Sequence, residues 1–198
     1  TNEGIKTKKA SEITVGDFLI NVKNAENSLN NEAQMIESMQ LDEEFARFLG
    51  LFTAEGNYLF DSRPKWKGRL RGMQFSFNFE KEKHLVSFIA EFAEKKLGVK
   101  AKIRKDPRYN TAYCLLYNSG LAEKLIKAGF NKKGKLPQVI FNSPAKIIKS
   151  FINGFAEGDS YAKGMEIHIN DKELVEDLSL LCSLAGMPTT LRFKKNSQ

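Results

Sequence analysis

FLGLFTAEGNYLF, residues 48–60, is an apolar, helix-like run with Gly50 in its middle and an acid, Glu55, followed by Gly56 near its end. A glycine inside a helix costs roughly 1 kcal/mol against alanine. A carboxylate on a buried-looking face is also costly unless it is paired or holds a metal. About 100 residues later, FINGFAEGDSY, residues 151–161, repeats both features. Gly154 stands five residues before Asp159, as Gly50 stands five before Glu55.

The surroundings of the two stretches also repeat. Leu41, Phe45, Phe48, Leu49 and Phe52 form a helical stripe, with Glu43 and Glu44 in its first turn, where the macrodipole favours acids. GMQFSFNF then alternates strictly, as a half-buried strand does: Met73, Phe75, Phe77 and Phe79 on one face, Gln74, Ser76 and Asn78 on the other. An amphipathic helix is expected over 81–97, stopped by Gly98. Two strands, VKAKIRK and TAYCLLY, follow around the turn DPRYN, and then the helix GLAEKLIKAGF. From Ser143, the expected N-cap of the next helix, the order starts again: helix to Asp159, strand KGMEIHIN, helix DKELVEDLSLLCSLAG, strand MPTTLRF. Such a period is an internal repeat. The expected division is an N-terminal extension (1–20), an Asn-, Glu- and Ser-rich linker (21–40), a first repeat (41–142) and a partial second repeat (143–198). A fourth strand and final helix are missing from the second, which would leave an open sheet edge.

Gly50 and Ala54 fall on one helical face, as do Gly154 and Gly158, and small residues four apart let two helix backbones approach closely. If the two helices pack there, Glu55 and Asp159 come side by side. Two close like charges call for a divalent cation between them. Carboxylates sharing hard cations suit phosphodiester hydrolysis. Either stretch alone reads as an ordinary helix end with an exposed acid; the second copy reverses that preference.

FLGLFTAEGNY and FINGFAEGDSY resemble the two signature motifs of the LAGLIDADG (dodecapeptide) homing endonucleases, the single-chain, two-motif kind, over residues 41–198. The first match is close; in the second, Ser160 replaces the usual final glycine. The resemblance implies an α+β fold: αββαββα units repeated about a pseudo-twofold axis, their two saddle-shaped antiparallel sheets lying in the DNA major groove. It also implies Mg²⁺ (or Mn²⁺) at the helix ends, held by Glu55 and Asp159, with Glu157 the competitor for the second position. Lys81 is the candidate for organising water near the metals. Where the family often carries a lysine at the last corner of a half, this chain has Ser119-Gly120. That favours an alternative: a DNA- or RNA-binding relative that cuts slowly or not at all.

Phosphate contacts need cations and base reading needs paired donors and acceptors. Arg63, Lys65, Lys67, Arg69 and Arg71 precede or begin the alternating strand, with Trp66 among them, and Gln74, Ser76 and Asn78 follow on its polar face. Lys102, Arg104 and Arg108 extend the set. The second repeat adds Lys163 and His168, the latter read as a polar-face residue rather than a base, and then Arg192, Lys194 and Lys195.

The bulk properties agree. The chain has 198 residues, is 41% hydrophobic and carries a formal net charge of +7, which favours a polyanion, nucleic acid ahead of an anionic membrane. Two cysteines and two histidines without metal-ligand spacing argue against structural zinc. Cys114 and Cys182 read as buried free thiols. No membrane span is expected, and the reading is of an intracellular, nucleic-acid-associated protein, a monomer once the second repeat is completed. Residues 8–20, KKASEITVGDFLI, resemble the end of an intein's N-terminal splicing half, which implies splicing halves as partners. The splicing residues are absent, so no splicing by this chain is expected.

Overall fold

A computed structural model describes residues 10–12, 32, 34–131, 134–161, 166–187 and 189–192. Most of the intein-like segment, most of the expected linker, and Lys163, Lys194 and Lys195 lie outside the described residues.

The last part of the expected linker is a hairpin. Strands β1 (Met35–Ile36) and β2 (Met39–Gln40) pair antiparallel across a turn with Glu37 at φ 53. Ile36 and Leu41 are buried. Two apolar anchors fix a stretch whose polar composition reads as a connection.

Helix α1 (Glu43–Glu55) begins where expected, with the Asp42 side chain accepting from the Phe45 N–H at 2.9 Å. The whole stripe from Leu41 to Phe52 is buried. Strands β3 (Gly56–Phe60) and β4 (Leu70–Asn78), helix α2 (Lys83–Leu97), strands β5 (Lys102–Asp106) and β6 (Thr111–Leu116) and helix α3 (Ser119–Lys127) complete the order αββαββα. The four strands form one antiparallel sheet in the order β3-β4-β6-β5. Met73, Phe75 and Phe77 of β4 and Ala112, Cys114 and Leu116 of β6 point to the buried face. Phe48 of α1 stacks on Phe92 of α2 at 4.4 Å and meets Phe75 edge-on at 5.3 Å, so the alternation of the strand and the stripes of the helices converge on one aromatic cluster. Helix α2 ends at Gly98, in the left-handed conformation (φ 64) that glycine adopts without strain.

The second half reads α4 (Gln138–Phe141), α5 (Ala145–Asp159), β7 (Ser160–Tyr161), β8 (Glu166–Ile167) and α6 (Lys172–Leu184). Helix–strand–strand–helix is the opening of the same unit. Asp171 and Asp177, at the start and middle of α6, accept the Gly134 and Leu136 N–H groups at 2.9 and 2.7 Å and tie down the connection between halves. Two local expectations differ. Ser143 does not cap α5: its hydroxyl donates to the Val139 carbonyl at 2.7 Å and closes α4, the back-bond that competes with capping. Residues 189–192, expected in a strand, join no strand among the described residues, and the Thr189 hydroxyl lies 3.3 Å from that of Ser179. Among the described residues the second sheet therefore has two strands. The fold is α+β, a full αββαββα unit joined to the opening of another.

Cys114 and Cys182 are buried free thiols; burial pushes Cys114 up to about 12 and raises Cys182. Among the described residues, no helix is long and apolar enough to cross a membrane.

Candidate nucleic-acid interface and paired acidic helix ends

Helices α1 and α5 touch backbone to backbone. A β-carbon added at Gly50 would lie 2.0 Å from the Phe151 carbonyl oxygen, and one at Gly154 would lie 2.1 Å from that of Arg47. No side chain fits either place. One turn on, a β-carbon at Gly158 would be 2.8 Å from Ala54 Cβ and 3.1 Å from Glu55 Cγ. Residue numbers rise together across the contact (50 with 151–155, 54 and 55 with 158), so the helices run parallel. Both C-termini thus lie at one end of the pair. Glu55, half-buried, rests against Gly158, and Asp159, exposed, is the next residue. Each helix C-terminus carries about half a negative charge. Two such ends and two carboxylates lie at the same end of the helix pair.

Glu157 pairs with α1. It accepts from Arg47 Nε at 2.7 Å and Nη2 at 3.1 Å, and the Arg47 guanidinium lies 4.0 Å over the Phe88 ring. That contact staples α1 to α5 on their flank, as Lys146–Glu43 (3.6 Å) does near their N-termini. Lys81 sits exposed in the turn after β4, its N–H held by Asn78 Oδ1 at 3.0 Å.

Among the described residues no group of three or more His, Cys, Asp or Glu side chains gathers that could hold a metal. Two carboxylates, all oxygen, suit a hard cation that keeps several waters and completes its shell with phosphate oxygens, as Mg²⁺ and Mn²⁺ do. They do not suit zinc. The donor set therefore fits the expected metal.

Strand β3 leaves directly from Glu55, which sets the sheet against the acids. On the face opposite the core, the register forms rows across the strands. Asn57, Gln74, Leu115 and Lys102 make one row; Ser76, Tyr113 and Arg104 the next; Asn78, Thr111 and Asp106 the third. Five residues expected on a polar face from separate segments (Gln74, Ser76, Asn78, Lys102 and Arg104) thus share one surface. Asn57, Tyr113 and Thr111 join them. The period-two alternation of TAYCLLY marks Tyr113 as outward-facing, but only register places it between Ser76 and Arg104.

The remaining cations divide into two groups. Arg63 and Arg71 face Asp61, at 2.6 and 3.9 Å, and the Asp61 side chain is only 3% exposed. Hydrogen bonds from the Arg63 guanidinium hold the Asp61 carboxyl well below the usual carboxylate range. Arg108 grips Asp106 in the same way across the β5–β6 turn, at 2.9 Å. Arg63 and Arg108 thus hold turns rather than present an uncompensated charge. Arg71 is the extra residue of a bulge: Leu59 pairs with Gly72 and Phe60 with Leu70. Gly72, at φ 151, permits this, since a β-carbon there would lie 1.9 Å from the Leu116 carbonyl oxygen. Nothing local in the sequence marks that bulge. Lys65, Lys67 and Arg69 have no carboxylate partner among the described residues. His168 is exposed beyond β8, with Nε2 3.7 Å from a Glu166 carboxylate oxygen.

No family model matches the chain. Two curated relatives come from Methanocaldococcus jannaschii. A DNA polymerase is 28% identical over 167 residues, covering 80% of this chain and 9% of the polymerase. A replication factor C small subunit is 25% identical over 218 residues, covering 95% of this chain and 11% of the subunit. The chain thus spans about a tenth of the length of these relatives. Among solved structures, I-DmoI, crystallised in complex with DNA and Mn, superposes with a TM-score of 0.57 at 16% identity over 79% of this chain and 85% of that one. At that identity the likeness is one of fold.

Proposed function

We propose that this chain is the DNA-binding and cleaving part of a homing endonuclease of the LAGLIDADG type, carried as an insertion within a host protein. The observation that carries the reading is the parallel crossing of α1 and α5, which sets Glu55 and Asp159 at one end of a helix pair from which a polar sheet face departs.

In this reading the sheet face and Lys65, Lys67 and Arg69 bind duplex DNA, the cations on phosphates and Gln74, Ser76, Asn78, Asn57, Tyr113 and Arg104 on base edges. Glu55 and Asp159 would hold Mg²⁺ or Mn²⁺. Such an ion, when bound, supplies Lewis-acid stabilisation of the phosphate and lowers the pKa of its water. The chain's own part is to hold two carboxylates at a fixed separation, because Gly50 and Gly154 allow no sliding without backbone collision. I-DmoI, bound to DNA and Mn on this fold, supports the metal and the partner. A polymerase and a replication factor are different proteins, yet about a tenth of each aligns with most of this chain. A mobile insertion would produce that pattern. The domain division expected from sequence, with repeats at 41–142 and 143–198, goes with this reading.

A second reading, a binder that cuts slowly or not at all, draws on the exposed Ser119-Gly120 corner that opens α3 without a basic side chain. A nicking assay on a plasmid library of candidate insertion sites, with Mg²⁺ and with EDTA at low salt, separates the two. Mg²⁺-dependent nicking that disappears in Asp159→Asn supports the endonuclease. Tight binding without nicking supports the second reading.

A further inference from the structure

The chain has one tryptophan, Trp66, and it is 41% exposed on a loop far from the acids. An exposed indole on a floppy loop would mean little. This loop is built. Asp61 anchors it: its N–H donates to the Arg69 carbonyl at 2.8 Å, its carbonyl accepts from Gly68 at 3.0 Å, and its buried carboxylate takes the Arg63 backbone N–H and guanidinium. Gly68 turns the chain at φ 83. Pro64–Trp66 forms a single 3-10 turn. The ring is presented between two cations, with Lys65 Nζ 5.3 Å and Arg69 Cζ 5.4 Å from its centre. Those cations and Lys67 lack carboxylate partners among the described residues, so the loop offers an aromatic face framed by uncompensated positive charge.

Resting on the DNA-binding reading above, we propose that this loop is a separate clamp on the flank of the duplex. Lys65, Lys67 and Arg69 take successive phosphates, and Trp66 packs on the sugar and base edge between them. Strand β3 starts beside Glu55 and runs from Gly56 to Phe60 before the loop begins, which places Trp66 roughly 15 Å or more along the strand from the acids. At 3.4 Å per base-pair step that is roughly five base pairs from the scissile region. The indole supplies an affinity term independent of salt, which the lysines cannot.

As the only tryptophan, Trp66 reports on itself. The chain is titrated at low salt with a duplex several helical turns long, following intrinsic emission and iodide quenching. Binding should change the emission and shield the ring from iodide. Trp66→Ala should weaken binding roughly tenfold with the log–log salt slope unchanged, and Trp66→Phe should recover most of the loss. Lys67→Ala should instead shrink the slope by about 0.9. Binding by the parent without any change at Trp66, or an unaffected Trp66→Ala, overturns the clamp and leaves the DNA reading standing. A changed slope in Trp66→Ala also overturns it, because the ring would then only be holding its cations. No binding by the parent overturns both.

Discussion

The two halves use the same helix and different sheets. Helix α1 and helix α5 cross on matched glycines and end on matched acids. Yet α1 backs onto four paired strands and an aromatic cluster, whereas α5 leads, among the described residues, into a short two-stranded ribbon. A helix crossing has to be symmetric to place two carboxylates together. A binding surface does not, because affinity sums over phosphates wherever they are met. On the proposed reading, the four-stranded face binds DNA and the pair of helices carries the chemistry.

The strongest way to break that comparison is at the acids. Glu55→Gln and Asp159→Asn should each lower Mg²⁺-dependent nicking by roughly 10²–10³, the usual loss for one preorganised charge-stabilising group, with DNA affinity nearly unchanged by gel shift. Should Asp159→Asn nick like the parent, the halves are not chemically equivalent. The crossing comes next. Gly50→Ala and Gly154→Ala each force a β-carbon onto backbone and should cost about 3 kcal/mol in urea unfolding, at the high end for overpacking. Gly158→Ala should cost less, since the atoms it meets are the side chains of Ala54 and Glu55. Equal costs at all three positions would mean that the helices shift to accommodate them.

Smaller effects sharpen the picture. The Arg47–Glu157 pair is about one-third exposed on each side, so a double-mutant cycle should return under about 1 kcal/mol, and Glu157→Gln should still nick. Loss of nicking there would move the metal role from Asp159 to Glu157. At Asp42, partial burial opposes ionisation, but Lys96 and the Phe45 N–H outweigh it and hold the carboxyl below its ordinary 3.8. The stabilisation is thus complete above that value and is lost as pH falls through the lowered one. Asp42→Asn keeps a good cap and should flatten the acid limb of stability below the carboxyl's ordinary 3.8. Least of all, the native protein should react only slowly with a thiol reagent near neutral pH, because burial raises both cysteines.

The sequence by itself determined the elements and their repeat. Period 3.6 from Leu41 to Phe52, period two from Met73 to Phe79, and the paired Gly-to-acid spacings are local patterns, legible because each element must present one apolar face. The small residues even indicated which helix faces would meet. What the tertiary structure decided are relations between distant residues. It paired Glu157 of α5 with Arg47 of α1. It put Asn57 and Tyr113 into the rows of Gln74 and Arg104. It also drew Ile36 out of a polar segment into the core. The rows depend on strand register, and a one-residue slip in either strand would change each row without altering the pattern of the chain.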